Sequence, residues 1–137
     1  MNSRSPGGNA PAGKSIVIAI EGISLTAELY DTPTAAEILK ALPLEGRANR
    51  WGDEIYFDIP VRLGLEAGAR ADVEAGELGY WPTGTAFCIF FGPTPASTDE
   101  RPRAYSPVNI FGRIRGDVSP LKIVRDGAIV TVRRGGW

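Results

Sequence analysis

The sequence predicts a mainly β fold, a closed eight-stranded barrel with two short helices. Three observations predict it. Gly 17 and Pro 11 in 137 residues punctuate short apolar stretches, the pattern of a fold with many tight turns. Within most stretches apolar and polar residues alternate with a period of two, as in a strand with one face buried. One stretch, Ala86-Phe87-Cys88-Ile89-Phe90-Phe91, is apolar without a break and is bounded by Gly84 and by Gly92-Pro93. It reads as a strand buried on both faces, around which the others pack.

Composition sets the outer limits. A chain of 137 residues is large enough for one domain that buries roughly two thirds of its unfolded surface without a disulfide or a metal. A net charge of -1, with both signs spread along the chain, predicts neither nucleic-acid nor membrane partners. The single cysteine, Cys88, allows no internal disulfide and fits a reducing compartment. The chain has no histidine, which removes the commonest general base and metal ligand and any Ser-His or Cys-His nucleophile. No stretch has the length of a membrane span or the apolar core of a signal peptide, so a cytoplasmic location is expected.

In chain order, residues 1–14 are rich in Ser, Gly, Asn, Pro and Ala and predict a disordered tail, with a single domain over 15–137. Residues 16–20 and 23–30 form a hairpin about Glu21-Gly22. Thr32 caps a helix with Pro33 at its first position, and Ala35, Ile38, Leu39 and Leu42 give it one apolar face. Pro43 ends it, and 44–49 reads as a loop. Ile55, Phe57, Ile59 and Val61 alternate with polar residues in the clearest half-buried strand, with Pro60 marking an edge or a bend. Residues 69–73 and 77–81 are weaker strands, and 86–91 is the central one. A long polar loop covers 94–107, of the length that is usually functional or mobile. A strand over 108–114, a short helix from Ser119-Pro120 to Val124 and a last strand over 128–133 complete the chain.

Two of these segments resemble cyclophilins. Ala86-Phe87-Cys88-Ile89-Phe90-Phe91 is similar to that family's Gln-Phe-Phe-Ile strand, and Asn109-Ile110-Phe111-Gly112-Arg113-Ile114 to its Val-Val-Phe-Gly-Lys-Val stretch. Closer still is the resemblance to a small prokaryotic family of compact cyclophilin-like proteins of unassigned function. It extends over most of 16–132 and includes Asp31-Thr32-Pro33-Thr34-Ala35, Arg50-Trp51-Gly52-Asp53-Glu54-Ile55-Tyr56-Phe57 and Gly79-Tyr80-Trp81-Pro82. The resemblance implies an eight-stranded barrel closed by two helices. It does not bring prolyl isomerase residues with it. The family's pocket histidine falls on Val108 here, Glu74-Ala75-Gly76-Glu77 stands about where Gln-Gly-Gly-Asp is found, and only Arg62 or Arg70 lies near the place of the catalytic arginine.

The candidate site residues lie in three segments. In Arg50-Trp51-Gly52-Asp53-Glu54, alternation puts Glu54 and Tyr56 on one strand face, where a carboxylate beside a phenol can orient a polar ligand or act as a general base. The alternative is a solvated face with a salt bridge to Arg50. Tyr80, Trp81 and Phe90 can floor a pocket for an apolar or proline-like group; otherwise Phe87, Ile89 and Phe91 are core and Trp81 covers the barrel end. Arg113 can pair with Glu54 across the barrel and recognise an anion, or be an exposed strand arginine. Asp53 and Glu54 are adjacent and face opposite ways, so they are no paired acid and base. Cys88 reads as a small buried hydrophobe.

Together these readings predict a cytosolic, bacterial-type binding module for a small molecule or an extended peptide, as a monomer or weak homodimer. The expected ligand-binding set is Arg50, Trp51, Glu54, Tyr56, Tyr80, Trp81, Phe90 and Arg113. No metal site and no cofactor are expected. The enzymatic alternative is a weak peptidyl-prolyl isomerase or a ligand-modifying enzyme, with Glu54 and Arg113 as its catalytic groups.

Overall fold

The structure is a computed structural model that describes residues 11–136; residues 1–10 of the expected tail, and Trp137, lie outside the described residues. The strands are β1 (Pro11–Ile20), β2 (Ile23–Tyr30), β3 (Leu44–Arg47), β4 (Asn49–Arg50), β5 (Glu54–Asp58), β6 (Arg70–Asp72), β7 (Glu77–Trp81), β8 (Ala86–Phe90), β9 (Arg103–Ile114) and β10 (Ile129–Arg134). One α-helix, α1 (Pro33–Ala41), accompanies them. The first strand therefore begins at Pro11, inside the span expected to be disordered, and pairs with Tyr30 across an irregularity before Ser15.

The sheet corrects the expected closed eight-stranded barrel. It has ten antiparallel strands in the order β3-β10-β1-β2-β9-β7-β8-β5-β4, with β6 on the side of β9. The path is open: β3 and β4 stand at its two ends, and among the described residues no ladder joins them. The two added strands come from 44–49, which reads as a loop, together with Arg50; β10 recruits Leu44–Arg47 and β5 recruits Asn49–Arg50 by backbone pairing, which needs no apolar pattern. The second helix is also corrected. Ser119–Ile123 is a 3-10 turn, as is Pro82–Gly84.

Helix α1 follows its sequence signals. Thr32 accepts a hydrogen bond from the Ala35 amide at 3.0 Å, Pro33 sits in the first turn, and Ala35 and Ile38 are buried against the sheet. Asn109 holds the helix start to the chain after β5. Its Nδ2 donates to Thr34 Oγ1 at 3.1 Å and to the Gly64 carbonyl at 2.9 Å, and its Oδ1 accepts from the Glu66 amide at 2.8 Å.

The two faces of the sheet bury different apolar clusters. The larger contains Ile16, Ile18, Ile55, Phe57, Leu78, Tyr80, Phe87, Ile89 and Phe111 and takes in α1. There the Phe57 and Phe87 rings stack at 5.0 Å, and Phe111 meets Phe87 edge-on at 5.1 Å. The smaller holds Ala86, Cys88, Phe90, Ala104, Val108 and Ile110, with Tyr56 and Trp81 against it. Strand β8 is buried throughout because it contributes to both. The smaller cluster is the floor of the candidate site.

Candidate functional site

Strand β5 sets the register of the site. Ile55 and Phe57 point into the larger core, so Glu54 and Tyr56 face the other way. On β8, Phe90 lies opposite Glu54 and Cys88 opposite Tyr56. The β4–β5 turn that carries Trp51 is closed by hydrogen bonds in both directions between Trp51 and Glu54, from the Trp51 amide at 2.9 Å and from the Glu54 amide at 3.2 Å. Gly52 makes that turn possible: its φ is +61°, and a Cβ there would stand 2.9 Å from Thr94 Cα and 3.0 Å from the Pro93 carbonyl.

Trp81 ends β7 on the same side. Gly84 lies under its indole so closely that a Cβ would come within 2.6 Å of the ring. The indole Nε1 donates to Ser106 Oγ at 2.7 Å, which ties the start of β9 to the end of β7. That brings in Tyr105, whose ring centroid is 6.1 Å from Trp51 and 6.0 Å from Trp81, at interplanar angles of 75° and 77°.

Trp51, Glu54, Tyr56, Trp81, Cys88, Ala104, Tyr105 and Val108 line one cleft of about 180 Å³. Its polar feature is the carboxyl of Glu54, a residue only 6% exposed. Burial pushes the Glu54 pKa up to about 7, with the neighbouring Cys88 thiol pulling weakly the other way. Among the described residues no lysine or arginine forms an ion pair with Glu54. Burial and the Glu54 charge together hold the Cys88 thiol well above its ordinary pKa, which disfavours the thiolate a nucleophile needs.

The expected site residues divide. Trp51, Glu54, Tyr56 and Trp81 meet in the cleft. Phe90 is fully buried in the apolar cluster that packs with Cys88, Val108 and Trp81. Tyr80 is on the opposite face. It is fully buried in the larger core, donates to the Val61 carbonyl at 2.6 Å and accepts from the Leu63 amide at 3.2 Å. Strand geometry forces this separation, since Tyr80 and Trp81 are neighbours and point to opposite faces.

The two arginines lie elsewhere. Arg50 braces the β4–β5 turn: it donates to the carbonyls of Gly52 (3.0 Å), Lys122 (3.2 Å) and Val124 (2.7 Å), and its guanidinium lies 5.0 Å from the Phe91 ring centroid. Its carboxylate partner is Asp53 at 3.1 Å, not Glu54. Arg113 is exposed on β9, opposite Glu28 of β2 and Glu77 of β7. It does not line the cleft. Glu77, only 3% exposed, is held instead by Arg70 at 3.1 Å, the Glu74 amide at 2.8 Å and the Tyr30 hydroxyl at 3.4 Å.

Four lining residues stand outside the expected set; one is Cys88 of β8, and the other three are Ala104, Tyr105 and Val108. These three lie on β9, which begins at Arg103, inside the stretch read as a loop. The alternation of Ala104, Ser106 and Val108 with Arg103, Tyr105 and Pro107 is the signal, interrupted by prolines that mask it.

The fold and this chain's sequence place it among known proteins. The sequence profile described as Cyclophilin-like matches residues 14–133. The chain belongs to the cyclophilin-like family. The solution structure of a hypothetical protein from Archaeoglobus fulgidus is similar at 40% identity and a TM-score of 0.78, over 93% of this chain and 99% of that one. No curated protein matches the chain. In this cyclophilin-like chain no helix among the described residues is long and apolar enough to cross a membrane. Nor do those residues hold a group of three or more His, Cys, Asp or Glu side chains placed to bind a metal ion.

Proposed function

We propose that this cyclophilin-like protein is a binding protein whose ligand is a small organic molecule, or a single side chain of a peptide, seated between Trp51, Trp81 and Tyr105. The observation that carries this reading is a nearly buried carboxyl, Glu54, opening into an aromatic-walled cleft that no lysine or arginine lines among the described residues. Burying an ionisable group without a counter-charge costs stability, and groups with perturbed pKa values concentrate at functional sites. The cleft holds only about 180 Å³, which favours a compact group over several residues of extended peptide. A lone, buried cysteine supports a cytosolic setting.

One observation favours a second reading. A carboxyl that titrates at about 7 is matched to general acid or base work near neutral pH. Glu54 would then move a proton on the bound ligand, and the protein would be a ligand-modifying enzyme.

The test is an NMR titration of the full chain with a library of small organic fragments and a short Xaa-Pro peptide. Saturable shifts of the Trp51, Trp81 and Tyr105 signals are expected with a subset of fragments. If nothing in the library moves these signals, the binding reading falls. Turnover of a bound fragment, lost in Glu54→Gln while binding persists, would establish the enzymatic reading.

A further inference from the structure

We propose that the cleft selects a small organic cation bearing a methylated ammonium group, with Glu54 as its counter-charge and Trp51, Trp81 and Tyr105 as the walls. The inference rests on the binding reading above and names the chemical class of the ligand.

The lining decides the sign of the charge. Glu54 is its only acidic residue, and Lys and Arg are absent from it. An anion would be brought against a carboxylate with no compensating cation. A neutral apolar ligand would remove the remaining water from Glu54 and give it no partner, which is costly for an ionised group and leaves the acid protonated. A cation supplies the missing counter-charge.

The walls decide the kind of cation. A calcium or magnesium ion needs about six oxygen ligands, and this lining offers one carboxylate and phenol oxygens among apolar groups. A primary ammonium brings three N–H donors that must all be satisfied. A methylated ammonium needs few or none. Its charge is spread over methyl groups that pack against aromatic faces and are attracted by the ring quadrupoles. The rings suit this role because Tyr105 stands nearly perpendicular to both tryptophans, at 75° and 77°, and so the walls face the space from different directions. Size agrees as well. A cavity of about 150 Å³ accommodates benzene, so about 180 Å³ takes a trimethylammonium group and leaves a nucleotide outside.

The test is a calorimetric and NMR titration of the full chain with choline and, separately, with its neutral carbon isostere dimethylbutanol. The expected result is that choline shifts the indole N–H signals of Trp51 and Trp81 and binds about tenfold or more tightly than the isostere. Choline affinity is also expected to rise about tenfold or more from about pH 5.5 to about pH 8, as Glu54 ionises. At about pH 8 Glu54→Gln should weaken choline about tenfold and remove its pH dependence, without weakening the isostere. Trp81→Leu, which keeps Glu54, should weaken choline more than the isostere. If the isostere binds as tightly as choline, the cation inference is overturned while the binding reading stands. If choline moves neither indole, the cation inference is overturned, and the fragment titration then decides the binding reading separately.

Discussion

The Trp81 indole donates to the Ser106 hydroxyl at 2.7 Å, and through this bond β7 and β9 jointly hold Tyr105 against the cleft. The contact joins residues far apart in sequence, at a point where β7 has ended and β9 has barely begun. Ser106→Ala removes the acceptor. Because Trp81 is half-exposed, water replaces the lost partner, and the cost to stability is expected to stay within about 1 kcal/mol. The Trp81 indole N–H signal should move and exchange faster with solvent, and the Tyr105 ring signals should shift with it. An unchanged indole signal would show that Ser106 is not its partner in solution.

Glu54 gives stability a defined dependence on pH. Its pKa in the folded chain is about 7, against an ordinary value of 4.5, so the folded state holds the proton more tightly than the unfolded one. The corresponding stabilisation is complete below about pH 4.5 and is lost as pH rises through about 7, an amount on the order of 3 kcal/mol. Denaturant unfolding at a series of pH values should therefore show Glu54→Gln gaining on the parent chain from about pH 4.5 to about pH 7 and levelling off above it. The exposed carboxylates Asp99 and Asp117 titrate below their ordinary range, held there by Arg101 and Ser119, so they contribute outside this window. A difference between the two chains that stays flat across the window would mean that Glu54 is hydrated in the folded state.

Much of this arrangement was legible in the sequence. Alternation in β5 puts Glu54 and Tyr56 together and away from Ile55 and Phe57, and the unbroken run of β8 marks the strand shared by both cores. What the sequence obscured has physical causes. Strands β3 and β4 are held by backbone pairing with β10 and β5, which leaves no periodicity to read. The start of β9 pairs with the short β6 amid prolines, and so Tyr105 was hidden in an apparent loop. Tyr80 and Trp81 look like one aromatic unit until strand geometry separates them, one bound to Val61 and Leu63 in the core, the other at the cleft. Arg50 and Arg113 illustrate a different limit. A sequence shows that a charge is present but not which carbonyls and carboxylates fold to meet it.

Arg50 should prove structural. Its guanidinium spans three backbone carbonyls and the Asp53 carboxylate, a set that a single ammonium cannot reproduce. Arg50→Lys keeps the charge and is expected to lower stability by about 1–2 kcal/mol, since the partly buried Val124 carbonyl loses its donor. Urea denaturation would measure this directly. A substitution without effect on stability would release Arg50 from the turn and reopen it as a ligand contact.

Gly79 tests the link between packing and the cleft. It lies on β7 on the same face as Trp81, and an added Cβ would stand 2.8 Å from Val108 Cγ2, 3.1 Å from Val108 Cβ and 3.3 Å from Phe90 Cε2. Val108 is short and β-branched, so it has no flexible end to swing aside, and the strain passes to β9. Gly79→Ala is therefore expected to cost about 1–3 kcal/mol, the usual range for overpacking a filled core. Val108 also lines the cleft. The same substitution should thus perturb the signals of Cys88 and Tyr105 as well as reduce the unfolding midpoint. Reduced stability with an unperturbed cleft would show that β9 absorbs the added methyl away from the site. An unchanged midpoint would mean that Val108 and Phe90 do not rest on Gly79 at all.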